Sequence, residues 1–459
     1  MKRTLQAFAQ VMQGELFGND CVFGQVSTDS RTVSSGQMFF ALSGPNFDAH
    51  DFVSVAAERG AVGAVVSRHL PISIPQIVVG DTLVALQLAG AAWRAQFSIP
   101  VIAVAGSNGK TTTKEMIASI LGRLGPCHAT RGTLNNHIGV PLTLLALELT
   151  HATAVIEIGA NHPGEVAALT ALVKPTIGLV TNAGAEHLEG FGDLEGVAHA
   201  EGELFVGLGP EATAIINADD PYAGLWASMV GARAVTFFGK DMAANVRLLG
   251  AVRALSASVQ EFECDTPKGL ISVRLSLAGH HNVINALGAV SAALVAGASI
   301  DHVATGLATM SPVKGRLDVK TGASGACVID DSYNANPSSL NAALTVLERQ
   351  PTEKWLVLGA MGELGETGHE AHREAGRAAR AAGVQRLFGI GALARDAVDA
   401  FGDQSEWFAT ADALIERLHG QLHPGLTVLV KGSRFNRLER VVEALCADSA
   451  SLLHARDRR

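Results

Sequence analysis

A three-part α/β fold is predicted by three features of the sequence: its length, its short apolar runs alternating with helix-length segments, and two places where that rhythm breaks and restarts. At 459 residues the chain exceeds one ordinary core, and a prior of roughly 100–200 residues per domain implies several. Hydrophobic residues make up 48% and charged residues 17%, which fills such cores and is unlike a disordered chain.

The opening stretch MKRTLQAFAQVMQGEL reads as an amphipathic helix, without the apolar stretch and small-residue cleavage site of a signal peptide. Residues 1–82 carry QMFFAL, AVGAVV and QIVVG as strands, with DFVSVAAERG as a helix between the first two, so a small α/β unit with its own core is expected. DTLVALQLAGAAWRAQF is a helix leading through Pro100 into VIAVAG and a larger region, 83–312. There ATAVIEIG, TIGLVTN, ATAIIN and AVTFFG are near-continuous apolar strands separated by helix-length segments, the pattern of a parallel sheet covered on both faces.

VINALGAVSAALVAGASI approaches membrane length, but Asn285, Ser291 and its alanines and glycines make it a buried helix, and no membrane span is expected. Pro312 and Gly315 in SPVKGRLDV then break the pattern. Residues 313–459 restart it with ACVIDDS, a helix through NAALTVLERQ, WLVLG, an Arg/Ala-rich helix, RLFGIG and TVLVKG, which reads as an open, Rossmann-like parallel sheet ending in a charged HARDRR tail.

A formal charge of −9 argues against a surface that coats nucleic acid, because such surfaces neutralise phosphates with a basic excess. The five cysteines are scattered without a CxxC pair, so neither a zinc site nor a disulfide framework is indicated, and a reducing cytoplasm fits best. A monomer is expected.

The stretch VIAVAGSNGKTTTKEM ends a strand on glycine, continues through a small polar loop and can start a helix. Backbone N–H groups from Gly106 to Thr112 are then placed for phosphate, with Ser107, Asn108 and Gly109 in the loop, Lys110 as a mobile cation and the Thr111 hydroxyl as an Mg²⁺ ligand. A plain glycine turn with a surface lysine is the simpler alternative, but strand, GKT and helix stand in the right order. Only Ser107 and Asn108 separate Gly106 from Gly109, whereas the commonest phosphate loop has four residues there. Further ligands should emerge from neighbouring strand ends, where Glu157 and His187 stand. A lone glutamate in an apolar strand needs a charged partner, and His187 by itself reads as an ordinary loop histidine.

Three weaker motifs are set aside. GIGALA fits a loose dinucleotide pattern without its acidic partner, HEAH has the wrong spacing for a zinc helix and reads as an exposed polar helix, and His280 and His281 cannot face one site together.

Taken together, GSNGKTT, STDSRTVSSGQMFFALSGPNFDAHDF, GTLNNHIGVPLTLL, IEIGANHPGE, NAGAEHLEGFG, GHHNVINA, KGRLDV, IDDSYNANPSS and LVKGSR resemble the Mur ligases of peptidoglycan synthesis, whose phosphate loop has this shorter form. The likeness covers nearly the whole chain. It implies that residues 1–82 bind the UDP substrate through Asp29, Ser30 and Arg31, and that 83–312 bind ATP. It further implies substrate contacts by Asn135 and Asn136, a magnesium site on Thr111, Glu157 and His187, and adenine contacts by Asn282 with His281 and Asn285. Arg316 would reach nucleotide phosphates, Asp331 ribose, and Asn334, Asn336, Lys431 and Ser433 the substrates, from a ligase domain at 313–459.

Two departures stand out. Many relatives carry a carbamate-forming lysine where this chain has Glu201, a ready-made carboxylate able to take that charge role as a catalytic group, and often an aspartate where it has Ala360. The implied activity is an ATP- and Mg²⁺-dependent amide ligation, through an acyl phosphate, of UDP-N-acetylmuramoyl tripeptide and D-alanyl-D-alanine. A folate polyglutamylating ligase, which shares the loop but not the STDSR and DDSYNANP segments, and a non-catalytic nucleotide switch are the alternatives.

Overall fold

The computed structural model describes residues 3–447, so the HARDRR tail lies outside the described residues. Among these residues the strands form three main sheets and one two-stranded hairpin, Ser43–Gly44 with Phe47–Asp48. In the first sheet Met38–Phe40, Gly63–Val66 and Gln76–Val78 run parallel, as their apolar runs predict. Two short edge strands, Glu15–Phe17 and Val26–Ser27, complete it and were not legible in the sequence. The opening helix is Leu5–Val11, capped by the Thr4 hydroxyl.

That first unit sits on the helix Thr82–Arg94, whose N-cap Asp81 accepts from Leu83 and Val84, an arrangement worth about 1 kcal/mol. The helix packs toward the central sheet. Trp93 donates its indole N–H to Leu147 O, Arg94 donates to Val173 O and Lys174 O, and Gly90 lets the backbone approach Pro141. From the other side Phe8 meets Trp93 at 6.3 Å, and the Arg3 guanidinium stacks on the indole at 4.1 Å.

The central sheet runs Ile271–Leu275, Gln260–Asp265, Val246–Ala254, Ala234–Gly239, Thr213–Asn217, Ile177–Val180, Val101–Ala105, Thr153–Glu157, Cys127–Ala129. From Val246–Ala254 onward to Cys127–Ala129 it is parallel, with fully buried strands such as Val101–Ala105. The expected all-parallel sheet needs one correction. Gln260–Asp265 and Ile271–Leu275 add an antiparallel extension. Its strands alternate, with Ile271, Val273 and Leu275 inward and Ser272 and Arg274 outward, because one face is open to solvent. The helix His280–Val295 is buried against this sheet, and no helix among the described residues is long and apolar enough to cross a membrane.

The third sheet, Asp318–Thr321, Cys327–Asp331, Leu426–Lys431, Glu353–Gly359, Arg386–Ile390, Ser405–Phe408, is parallel except for its first, antiparallel strand. The GIGALA turn is closed by Trp407, which donates to Gly391 O. HEAH is not the exposed segment expected: His372 is buried, accepting from Met361 N–H and bonding Gly368 O, while His369 pairs with Asp396 at the surface.

Candidate active site

The C-terminal ends of the central and third sheets face one another across a cavity of about 610 Å³. This is where parallel α/β sheets place ligands, since strand ends, loop N–H groups and helix N-termini converge there.

On the central wall, the strand Val101–Ala105 turns into the loop and the helix Lys110–Leu121. Gly106 has φ 116° and Gly109 φ 84°, and an added Cβ would lie 2.2 Å from Thr181 Oγ1 and 2.4 Å from Asn285 Oδ1, so both positions require glycine. The loop is held by Ser107 N–H on Asn182 O (2.9 Å) and Asn108 N–H on Asn182 Oδ1 (3.1 Å). Ser107, Asn108, Gly109, Lys110, Thr111 and Thr112 line the cavity as predicted. Gly106 lies beneath it, with its N–H bound to Glu201 Oε2 at 2.7 Å.

Lys110 Nζ folds back on Ser107 O (3.2 Å) and pairs with Glu186 Oε1 (3.2 Å). Burial lowers its pKa, but Glu186, Glu201 and Glu157 outweigh that and hold it above the ordinary lysine value. Glu186, next to His187, is a cavity residue that the sequence reading missed.

Glu201 corrects an expectation. It does not line the cavity but is buried under the loop, where desolvation, opposed by Lys110 and reinforced by Glu186, pushes its carboxyl up to about 7. Its carboxylate accepts from the Gly106 N–H beneath the cavity floor.

Glu157 ends its strand in the cavity wall, buried, with Oε1 accepting from Asn135 Nδ2 at 2.8 Å. Its Oε2 has no hydrogen-bond partner, and the charged neighbour its strand position demands is Lys114 Nζ at 3.8 Å. His187 lines the cavity with φ 50°, and its Nδ1 meets Glu363 Oε2 at 2.5 Å, which fixes the ring nitrogen left for a ligand. Glu363 is also left-handed, at φ 61°, so two strained residues meet where the walls touch. No three His, Cys, Asp or Glu side chains form a metal cluster among the described residues.

On the opposite wall, parallel register sets Asp331 beside Lys431, joined at 2.5 Å. Lys431 also donates to Asn334 O, and desolvation, against the pull of Asp331, lowers its pKa. Arg316 stacks on Tyr333 at 4.3 Å, and both line the cavity with Asn334. Tyr333 meets the Thr133 hydroxyl at 2.5 Å across the cavity, while Asn108 bonds Asn336 (2.9 Å) and Ser338 (3.0 Å). The two walls are therefore closed on one another.

Several predicted residues do other work. Asn336 and Asn136 both line the cavity, while Asn336 caps the helix Pro337–Glu348 and Asn136 Oδ1 accepts from the Ile138 and Gly139 N–H groups. Ser433 does not line the cavity, since its hydroxyl donates to Ala335 O and accepts from Gly362 N–H. Asn282 lines it while donating to Ala278 O and accepting from Asn285. His281 also lines it, pushed by burial down to about 4 and so neutral at pH 7. The two adjacent histidines do border one shared groove, contrary to expectation, but only His281 reaches the main cavity. Asp29, Ser30 and Arg31 lie outside the cavity on the first unit, where Arg31 holds Asp29 down to about 2.

Comparison with known proteins accounts for both walls. Residues 104–293 match the Mur ligase middle domain and residues 315–434 the Mur ligase, glutamate ligase domain. A UDP-N-acetylmuramoyl-tripeptide--D-alanyl-D-alanine ligase of Escherichia coli strain K12 is 43% identical over 96% of this chain and 98% of its own. A crystal structure of MurF from Acinetobacter baumannii superposes with a TM-score of 0.89 at 36% identity, covering 97% of this chain and 99% of that one. A MurF ligase of Thermotoga maritima in complex with ADP gives 0.80 at 27% identity, covering 92% and 96%. With the matched segments framing the cavity and the likeness running almost end to end, the chain belongs to the Mur ligase family.

Proposed function

We propose that this protein is an ATP-dependent ligase that joins D-alanyl-D-alanine to UDP-N-acetylmuramoyl tripeptide in peptidoglycan synthesis. The carrying observation is the cavity itself, where a phosphate loop with its cation, on the same wall as Asn135, faces the Asp331–Lys431 pair and Asn334 across a closed gap.

A carboxylate resists attack by an amine at neutral pH, so the tripeptide's terminal carboxylate must first take the γ-phosphoryl group of ATP. The amine of D-alanyl-D-alanine then attacks that acyl phosphate, and the tetrahedral intermediate expels phosphate. Lys110 is placed to leave Glu186 and follow the transferred oxygens, and the N–H groups from Gly109 to Thr112 at the head of the helix hold the remaining phosphates, those of Ser107 and Asn108 being taken by Asn182. Glu157 Oε2, which accepts no hydrogen bond, fits a cation, and Glu157, Thr111 and His187 would hold magnesium, which offsets phosphoryl charge. Contacts of Asn108 with Asn336 and Ser338 shut the walls, which keeps water from the acyl phosphate.

We assign residues 1–82 to the UDP substrate, 83–312 to ATP and 313–459 to ligation, a division supported by each main sheet lying within one part. Asp29, Ser30 and Arg31 then meet the uridine diphosphate end, far along the substrate from the reacting carboxylate. All five cysteines are free, which supports a cytoplasmic location, and a monomer is the proposed state. Phosphate release should require ATP, UDP-N-acetylmuramoyl tripeptide and D-alanyl-D-alanine together. Equal release without the peptides, or with folate and glutamate in their place, would overturn the reading.

A further inference from the structure

The helix that begins at the phosphate loop carries a second lysine, one turn below Lys110. Lys114 is fully buried, among Met116, Ile117, Ile120 and Leu121 on the same helix. A buried lysine is rare, because its charge must be met by partners at every donor. Here Nζ donates to Thr130 O (2.6 Å) and Gly132 O (3.0 Å) and lies 2.9 Å from Glu115 Oε1 and 3.8 Å from Glu157 Oε2.

We infer that Lys114 is a positioning residue for the ligation, setting both the metal-facing carboxylate of Glu157 and the substrate-facing turn that follows Thr130. The contacts close a ring. Thr130 Oγ1 accepts from Glu157 N–H (3.0 Å), Glu157 Oε1 accepts from Asn135 Nδ2, and Asn135 follows directly on the turn that Lys114 grips. Lys114 stands three residues after Thr111 and four after Lys110, so one rigid helix fixes the phosphate loop, the cation-facing oxygen and the asparagine turn together. A methionine of similar length would fill the space but leave Glu157 without its nearest cation and the two carbonyls without a donor.

The inference rests on Glu157 facing the metal, and the test separates the two claims. ADP binding is measured by calorimetry, with and without Mg²⁺, on the full chain and on Lys114→Met, Lys114→Arg and Glu157→Gln. Partners of a metal ligand typically change metal affinity by roughly 10- to 100-fold, so Lys114→Met should weaken the Mg²⁺ enhancement by that factor while metal-free ADP binding is kept. Lys114→Arg should be intermediate, and KM for the UDP substrate should rise in Lys114→Met through Asn135. A purely structural lysine would instead lower thermal stability and metal-free ADP binding together. Full Mg²⁺ enhancement in Glu157→Gln would overturn the metal assignment and this inference with it. If Glu157→Gln loses the enhancement and Lys114→Met keeps it, only the role of Lys114 falls. Should Lys114→Met not fold, Lys114→Arg decides, and a wild-type Mg²⁺ response in it overturns the inference.

Discussion

Two lysine–carboxylate pairs face the same cavity from opposite walls, and burial acts on them with opposite outcomes. Lys110 has Glu186 beside it and Glu201 and Glu157 nearby, and its pKa is raised. Lys431 has Asp331 alone, with Arg316 adding a like charge, and its pKa is lowered. Desolvation is the largest influence on both, so the count of nearby carboxylates decides the sign. The difference matches their positions: Lys110 stands at the head of a helix with its ammonium on Glu186 in the cavity, whereas Lys431 ends a strand and pairs with Asp331 on the neighbouring one.

The largest expected effect tests the Asp331–Lys431 pair. Asp331→Asn leaves Lys431 buried without its counter-ion and should cost about 3–5 kcal/mol in denaturant unfolding. Lys110→Ala, whose pair with Glu186 lies nearer the cavity opening, should cost less in unfolding but lower kcat by roughly 10²–10³-fold, with UDP-substrate binding kept. If Lys110→Ala proved the more destabilising of the two, the contrast between the two pairs would be wrong.

Glu201 sharpens the loop side. Its carboxyl is raised from 4.5 to about 7, so the folded protein keeps a proton that the unfolded chain loses above 4.5. Stability from this group is therefore full below pH 4.5 and is lost as pH rises through about 7, a change of about 3 kcal/mol. Thermal melts should show Glu201→Gln gaining on the wild type across that window, and parallel pH profiles would refute the buried placement. Tyr333→Phe keeps the stack on Arg316 but removes the bond to Thr133, worth about 1 kcal/mol, so kcat/KM should fall roughly fivefold. The smallest expected effect is none at all: with Glu201 in place of a carbamate-forming lysine, adding or removing bicarbonate should leave activity unchanged.

Much of the fold was legible because buried parallel strands are written as continuous apolar runs, as in VIAVAG and TVLVKG. The antiparallel extension was missed, although FEC and ISVRL alternate, because short alternating runs carry a weaker signal than buried ones. In the site, the loop, Glu157, His187, Arg316, Asp331 and Lys431 were found and converge. Ser433, expected to face the substrates, and Glu201, expected to supply a further carboxylate, both lie outside the cavity lining, since a motif gives a residue's position in the chain but not which atoms its side chain already satisfies. Lys114 passed unnoticed, although its spacing of four from Lys110 sets it on the same helix face, because a lysine in a helix ordinarily reads as exposed.

The sequence by itself determined the main buried strands and helices, the place of the phosphate loop, and the family, because these depend on apolar runs and short spacing. Only the tertiary structure decided which strand ends meet. Residues 100 apart, Asp331 and Lys431, became an ion pair through parallel register, and Asn108 met Asn336 through closure of two sheets. Those contacts arise from packing between layers, where burial and partner count set charge, and no local pattern encodes them.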